Sequence, residues 1–543
     1  MTSLDWMVIG VYLVGVVVFA LALTKRQHNL HDYYLAGRRT RWWQSGMSTM
    51  ATQLGAISFV SAPAFVALKD GGGLKWLCYE FGVPLGVLFV ILWIIPRLHR
   101  GNYISIYEYL EERFDNRTRV LVSLLFQLGR GLATAVSVLA GGLILSTTLP
   151  LSTASAILLI GTVTVLYDAL GGMRVVVLSD VVQMLIIVVG IGICGATALK
   201  LVGWAAAVDA LGPERLRILD FNRWGLTAGG EYGFWPMTIG GIFLYASYYG
   251  CDQSQVQREL SVGTLKDVKR SLLLNAFGRF PVVLFYCVMG ILVGAVFTTP
   301  EHIAHLASRI GMAPDALVST LQTDPDRMVP MFILAFLPAG IVGLVFVAIM
   351  SALMSSLDSA INSLSAVTMQ DFYRRFVRPN ATDRHYMIAS KLLTAFWGGF
   401  CIVAALVFAG RAEATRETTI VLINAVGSLL YGPILAAFFV GMTTRFVSGS
   451  EVRIGVFSGI LTNVLLWRLT SVSWLWWNFV GFVVTGIVAL GLHFLLSYAR
   501  KRSVQGTFRP GLGVIERFSP SYVSVIAYTV LIIIVAFGVQ QMG

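Results

Sequence analysis

Residues 353–363 read LMSSLDSAINS: four serines, an asparagine and the carboxylate of Asp358, set in a stretch otherwise built of Leu, Val, Ile, Phe and Met. At 3.6 residues per turn, Ser355, Ser359 and Asn362 share one face of a helix, and Ser356 and Asp358 flank it. A charge at the centre of a bilayer costs about 2.5–3.5 kcal/mol even on the lenient insertion scale, so the carboxylate needs a partner or a task. Hydroxyl, carbonyl and carboxylate oxygens suit a small, hard monovalent cation stripped of its water, by the logic that gives hard divalent cations oxygen ligands. A single serine is as readily a small packing residue, or a donor to its own i−4 carbonyl. The cluster with Asp358 points instead to an ion site.

The rest of the chain supplies the membrane. Its 543 residues are 56% hydrophobic and 13% charged, with mean hydropathy +0.76, the composition of a membrane protein. A spanning helix needs about 20 apolar residues. Roughly fourteen runs qualify, near 5–24, 44–68, 74–96, 118–147, 151–168, 175–202, 232–250, 271–298, 329–369, 386–409, 416–442, 453–470, 473–497 and 519–540. The first has no cationic flank before it and reads as a retained span rather than a signal peptide.

The net charge of +12 is spread over short loops rather than gathered in one patch, so it speaks of orientation and not of a nucleic-acid partner. Lys25, Arg26, Arg38, Arg39 and Arg41 follow the first run, and Arg97, Arg100, Arg113, Arg117 and Arg119 follow the third. Both loops are therefore expected in the cytoplasm and the N-terminus outside a cell membrane. The basic loops 252–270 (with Arg258), 373–385 and 499–517 (Arg500, Lys501, Arg502, Arg509, Arg517) alternate into the same compartment. Asn116 and Asn380 begin sequons in these inner loops, where no glycan is expected. Five cysteines without a CxxC pair indicate neither a disulfide frame nor a zinc site. The histidines lie mostly at loops or span ends, and no HExxH or Ser/His constellation suggests an enzyme.

Four charges fall within the apolar runs: Glu80, Arg130, Asp180 and Asp358. The second run, WWQSGMSTMATQLGAISFVSAPAF (42–65), is interrupted by small and polar residues. It reads equally as a kinked helix or as one unwound beside a cavity, where transporters bind ions and substrates. In YDALGGMRVVVLSDVVQ (167–183) a Gly-Gly pair precedes a span that carries Asp180. Arg130 has two readings: an ion pair with Glu80, or a clamp for a substrate carboxylate, which the guanidinium fork fits well.

Taken together, the chain resembles the sodium/solute symporter family. Gly171-Gly172-Met173-Arg174 leading to Ser179-Asp180 and Gln183 carries the likeness, with Asp252-Gln253 before Val256-Gln257-Arg258, and Ser355-Ser356 before Asn362-Ser363 and Asp371. It runs from about Met7 to Met442 and weakens in the last three spans. The resemblance implies an all-α polytopic protein with an inverted five-helix repeat of the leucine-transporter type. The repeats would be 44–202 and 232–442, with an extra first span at 5–24 and further spans at 453–540.

The resemblance also implies sodium-coupled symport. The main sodium site would use the carbonyls of Ala51, Leu54 and Ala352 and the hydroxyls of Ser355 and Ser356. A second would use Asp180 and Ser359, with Asp358 standing where a hydroxyl is expected. Arg130 matches the arginine that holds the carboxylate in sialic acid carriers, with Gln53, Gly55, Ser58, Trp76 and Glu80 completing the substrate set. Glu80 matches sugar carriers instead, and Ser58 argues against a sugar. An organic anion with hydroxyls, sialic acid first, is the favoured substrate, a neutral sugar, polyol or amino acid the alternative, and a non-transporting membrane sensor the less favoured one. The expected partners are thus sodium, the solute and the lipid bilayer, with no obligate protein.

Overall fold

The computed structural model describes residues 1–24, 27–147, 149–410, 419–499 and 520–541. Lys25, Arg26, the basic residues from Arg500 to Arg517 and the first residues of the run at 416–442 lie outside these. The described chain is nearly all helical. The helices that matter are α1 (Ser3–Thr24), α2 (Trp42–Gln53), α3 (Ala56–Ala67), α4 (Leu74–Arg100), α5 (Asn116–Ser146), α6 (Thr153–Val202), α7 (Phe234–Cys251), α8 (Gln253–Leu260), α9 (Leu265–Val296), α10 (Ile341–Val377), α11 (Asp383–Ala409), α12 (Thr419–Thr443), α13 (Gly449–Leu469), α14 (Trp474–Ala499) and α15 (Pro520–Gln540).

Among the described residues eleven helices are long and apolar enough to cross a bilayer, or twelve if α2 and α3, bent by 55°, form one span. This is fewer than the fourteen runs expected, and the difference lies at two places. The runs 151–168 and 175–202 are two helical stretches that meet at a kink at Gly172, whose backbone is not helical (φ 55°, ψ −164°), and they are counted together within α6. Such a conformation is essentially confined to glycine, and a Cβ there would stand 2.6 Å from the Tyr33 carbonyl oxygen. The run 232–250 is the 18-residue α7, rich in Gly and Tyr, and is not among the eleven.

Large apolar side chains such as Val11 on α1, Leu128 on α5, Leu392 on α11, Leu461 on α13 and Ile534 on α15 are exposed. Water would penalise that surface, and lipid tails do not. Inside this ring α6 packs along α10, and α9 packs on α2 and α3. α1 clamps the start of α10: Asp5 Oδ1 accepts the N–H groups of Gly340 (2.7 Å) and Gly343 (3.0 Å).

Two spans are interrupted, one at Leu54–Gly55 between α2 and α3 and the other at Asp252 between α7 and α8. The second corrects the reading of 252–270 as a basic loop for its first part, 253–260, where every residue is buried, Arg258 included, while Lys266 and Arg270 stay exposed. The segment looks like a loop because its polar side chains lower its hydropathy. Those side chains are spent on buried partners instead.

At one end of the bundle Arg119 pairs with Asp371, Arg375 with Glu111 and Arg453 with Asp115 (2.6 Å). These contacts gather the segment before α5, the end of α10 and the start of α13. The first two were expected on one side of the membrane because of their charge. At the other end Asp220 lies between Lys75 (3.8 Å), Arg217 (3.7 Å) and Arg223 (3.2 Å).

Candidate functional site

The break in α2–α3 and the serines of α10 meet. Leu54 (φ −92°, ψ 61°) leaves the helical conformation, so the final carbonyls of α2 lose their regular intrahelical donors. Ser355 Oγ lies 3.3 Å from the Ala51 carbonyl oxygen and 3.1 Å from that of Ala352. Ser356 Oγ lies 3.1 Å from the Thr52 carbonyl oxygen and 3.2 Å from that of Ala352. Two hydroxyls bring two hydrogens to these four contacts, so half of them are oxygen facing oxygen with no proton between. An oxygen-rich, hydrogen-poor junction of this kind suits a small cation. Gly55 permits it, because a Cβ there would come within 2.9 Å of Ser356 Oγ.

Beside the junction lies a cavity of about 160 Å³. The six residues expected to contact substrate, Gln53, Gly55, Ser58, Trp76, Glu80 and Arg130, all line it, and so does Ser356. Tyr79, Tyr245, Tyr248, Tyr286, Tyr431 and Arg279 complete its wall. The two arginines differ. Arg279 Nε donates to Glu80 Oε2 (2.9 Å) and Nη1 to Gln53 Oε1 (2.5 Å), while the Tyr245 hydroxyl donates to Glu80 Oε1 (2.9 Å). The expected Arg130–Glu80 pair is therefore replaced by Arg279–Glu80, because the carboxylate on α4 meets the guanidinium from α9. Arg130 lies over the Tyr248 ring at 5.5 Å and donates to its hydroxyl at 3.3 Å. Its Nη1 is 3.6 Å from Asp252 Oδ2, and neither Arg130 Nε nor Asp252 Oδ2 has a hydrogen-bond partner among the described residues.

One turn along α10 the surroundings change. Ser359 Oγ accepts from Arg258 Nη2, which also lies 3.1 Å from Asp180 Oδ2. Arg258 Nε donates to Ser48 Oγ (2.7 Å), whose hydroxyl donates to Asp180 (2.5 Å). A guanidinium thus stands where Asp180 and Ser359 were expected to receive a second sodium. Asp358 faces the Tyr167 hydroxyl (2.5 Å) and Ser359 Oγ (3.1 Å). Asp168 accepts from Asn362 (2.8 Å), which accepts from Gln257 (2.9 Å).

Arg258, Asp252, Arg279 and Asp168 were not among the intramembrane charges read from the sequence. Arg279 was detectable, since it interrupts the apolar run 271–298. Arg258 and Asp252 were hidden by the polarity of their own segment.

A family model described as the sodium:solute symporter family matches residues 33–462. The chain belongs to that family. This symporter is 26% identical to the sodium/sialic acid symporter NanT of Aliivibrio fischeri, over 90% of the chain and 92% of the relative. It is 27% identical to the sodium/sialic acid symporter SiaT of Proteus mirabilis, over 84% and 88%. It is also 28% identical to the human sodium/iodide cotransporter, over 81% of the chain but 65% of that longer relative. Its fold is similar to a Na+-coupled sialic acid symporter solved in a substrate-bound outward-open state (TM-score 0.79, 23% identity, 91% of this chain and 98% of that one). MhsT in complex with L-phenylalanine is also similar (TM-score 0.51, 16% identity, 84% and 99%). The architecture is the leucine-transporter type. The symporter is a polytopic membrane transporter and not an enzyme, and sodium is its coupling ion.

Proposed function

We propose that this symporter imports a small hydroxylated organic anion with sodium by alternating access, and that sialic acid is the first candidate. One observation carries the anion reading: of the two arginines lining the cavity, Arg279 is tied to Glu80 and Gln53, whereas Arg130 donates to the Tyr248 hydroxyl at 3.3 Å and its Nε has no hydrogen-bond partner among the described residues. A guanidinium with an open edge is suited to a carboxylate. The names of the bacterial relatives agree with this choice. Gln53, Gly55, Ser58, Trp76 and Glu80 would shape the rest of the substrate site.

Sodium would bind through Ala51, Leu54, Ala352, Ser355 and Ser356. Because Ser356 also lines the cavity, ion and solute would share a wall, and each would raise the affinity of the other. The repeats 44–202 and 232–442 would rock against each other. In support, each begins with an interrupted span, the feature expected at corresponding positions of two halves. The N-terminus would face outward across the cell membrane, with the basic segments inside.

One sodium with a monoanion moves no net charge, so the membrane potential would add nothing. A second sodium at Asp180, Ser359 and Asp358 would restore about 2.3 kcal/mol per 100 mV, but only in a conformation from which Arg258 has withdrawn. The alternative cargo, a neutral polyol, is favoured by Gln53, whose amide nitrogen has no hydrogen-bond partner among the described residues and would donate to a hydroxyl.

The test is thermal stabilisation of the purified protein by sialic acid, other organic acids, neutral sugars and proline, each in sodium and in potassium. Stabilisation by an acid in sodium alone is expected. Stabilisation by a sugar or proline instead would retire the anion reading, and a ligand indifferent to sodium would undo the proposed shared site.

A further inference from the structure

Arg130 separates two chambers. Above it is the substrate cavity. On its other side is a small void of about 20 Å³, lined on α5 by Leu125, Phe126 and Gly129 and on α7 by Ser247 and Cys251, with Asp252 at the helix end. That volume holds about one water molecule. Along α5 the void lies toward the end that carries Arg117 and Arg119, and along α7 toward Asp252, and Arg130 and Tyr431 border both spaces. Asp252 is the residue at which α7 gives way to α8, in extended backbone (φ −92°, ψ 119°).

The two carboxyl oxygens of Asp252 do different things. Oδ1 caps α8 by accepting from the Ser254 N–H (2.8 Å) and hydroxyl (2.6 Å). Oδ2 is buried without a hydrogen bond and lies 3.6 Å from Arg130 Nη1. That separation is too long for a hydrogen bond yet well within Coulombic reach, in surroundings that screen little. The contrast with Glu80, which meets Arg279 at 2.9 Å in a closed set of hydrogen bonds, is direct. Glu80 neutralises its arginine and occupies it. Asp252 offsets the charge of Arg130 and leaves the guanidinium edge at Nε open.

We infer that Asp252 is the standing counter-anion of Arg130, which keeps the arginine's hold on a substrate carboxylate weak enough for release toward the small chamber. This rests on the proposed anionic cargo. An arginine without a counter-charge in so dry a place would bind a carboxylate tightly and surrender it slowly. With Asp252 beside it, part of that attraction is already met before the substrate arrives. The same residue terminates α7, so a shift of α8 during the transport cycle changes the distance between the two charges and with it the affinity.

The experiment uses Asp252→Asn and Asp252→Ser. Both retain a side-chain oxygen suited to an N-cap, and neither carries the charge. In the full-length protein in sodium, sialic acid and lactate are titrated alongside sialic acid methyl ester, and sodium-driven uptake is followed in proteoliposomes. The expected result is acid binding tightened at least about fivefold, with KM and maximal rate falling together and methyl ester binding unchanged. Unchanged or weaker acid binding in a variant that unfolds at the wild-type temperature overturns the inference and leaves the anion reading intact. Wild-type protein that binds neither acid in sodium overturns both.

Discussion

Two consecutive turns of α10 present serine hydroxyls in the same register, and they meet opposite company. Ser355 and Ser356 face backbone carbonyls at the α2–α3 break, oxygen against oxygen, with no cationic side chain among their hydrogen-bond partners. Ser359, four residues on, faces the guanidinium of Arg258, which Asp180 and Ser48 hold in place. Buried oxygens need a positive partner in both cases. The second turn carries that partner in Arg258, and on the proposed reading sodium would supply it to the first.

The largest expected effect comes from removing the first turn's hydroxyls. Ser355→Ala combined with Ser356→Ala should lower sodium-driven uptake into proteoliposomes at least about a hundredfold, the equivalent of roughly 2.7 kcal/mol. The unfolding temperature in potassium should stay near that of the wild type. Wild-type uptake by the double variant would mean that these hydroxyls do not hold the coupling ion.

The second term is broken by Arg258→Met. Truncating one member of a buried ion pair costs about 3–5 kcal/mol, because the other charge stays buried alone. The variant should therefore be strongly destabilised in potassium. Recovery in sodium would mean that the ion can occupy the vacated place between Asp180 and Ser359. Stability equal to the wild type in potassium would mean that Asp180 does not depend on the guanidinium.

Arg130→Ala tests the neighbouring arginine, whose pairing is incomplete in the same sense as the first turn's oxygens. Hydrogen bonds to charged groups contribute about 1.5–3 kcal/mol each, so affinity for a carboxylated ligand should fall by roughly ten- to a hundredfold while a neutral ligand is unaffected. Retained affinity for the acid would reduce Arg130 to a packing partner of Tyr248.

What was legible in the sequence follows the same division. Ser355, Ser356 and the interrupted second span stood out because polar residues inside an apolar run have few innocent explanations. The cavity residues became nameable once those segments were matched to a family. Arg258 and Asp252 were not legible, because hydropathy registers how polar a segment is and not what its polar groups touch. Charges that satisfy one another across α6, α8 and α10 have the composition of a loop. The Arg279–Glu80 pair was missed for a related reason: pairing is set by which helices α4 packs against, and periodicity along one helix carries no record of its neighbours.

The smallest effect lies at the far end of α10, where the arginine-carboxylate theme reaches the surface. Glu111 accepts from Arg375 and Arg119, and its side chain remains 29% exposed. The bonds from Arg375 chiefly, with those from Arg119, hold its carboxyl below the usual glutamate value. A carboxyl depressed by folding contributes stability above its unfolded value and loses it as the pH falls through the folded one. The unfolding temperature should therefore decline as the pH is taken from 7 to below 4, and Glu111→Gln should flatten that part of the curve. Solvent screening limits the contribution to less than about 1 kcal/mol, well under the cost expected for Arg258→Met. A Glu111→Gln variant as damaging as Arg258→Met would show that burial is not what separates the internal guanidinium of α8 from an ordinary ion pair at the membrane surface, and the contrast between the two turns of α10 would then need another cause.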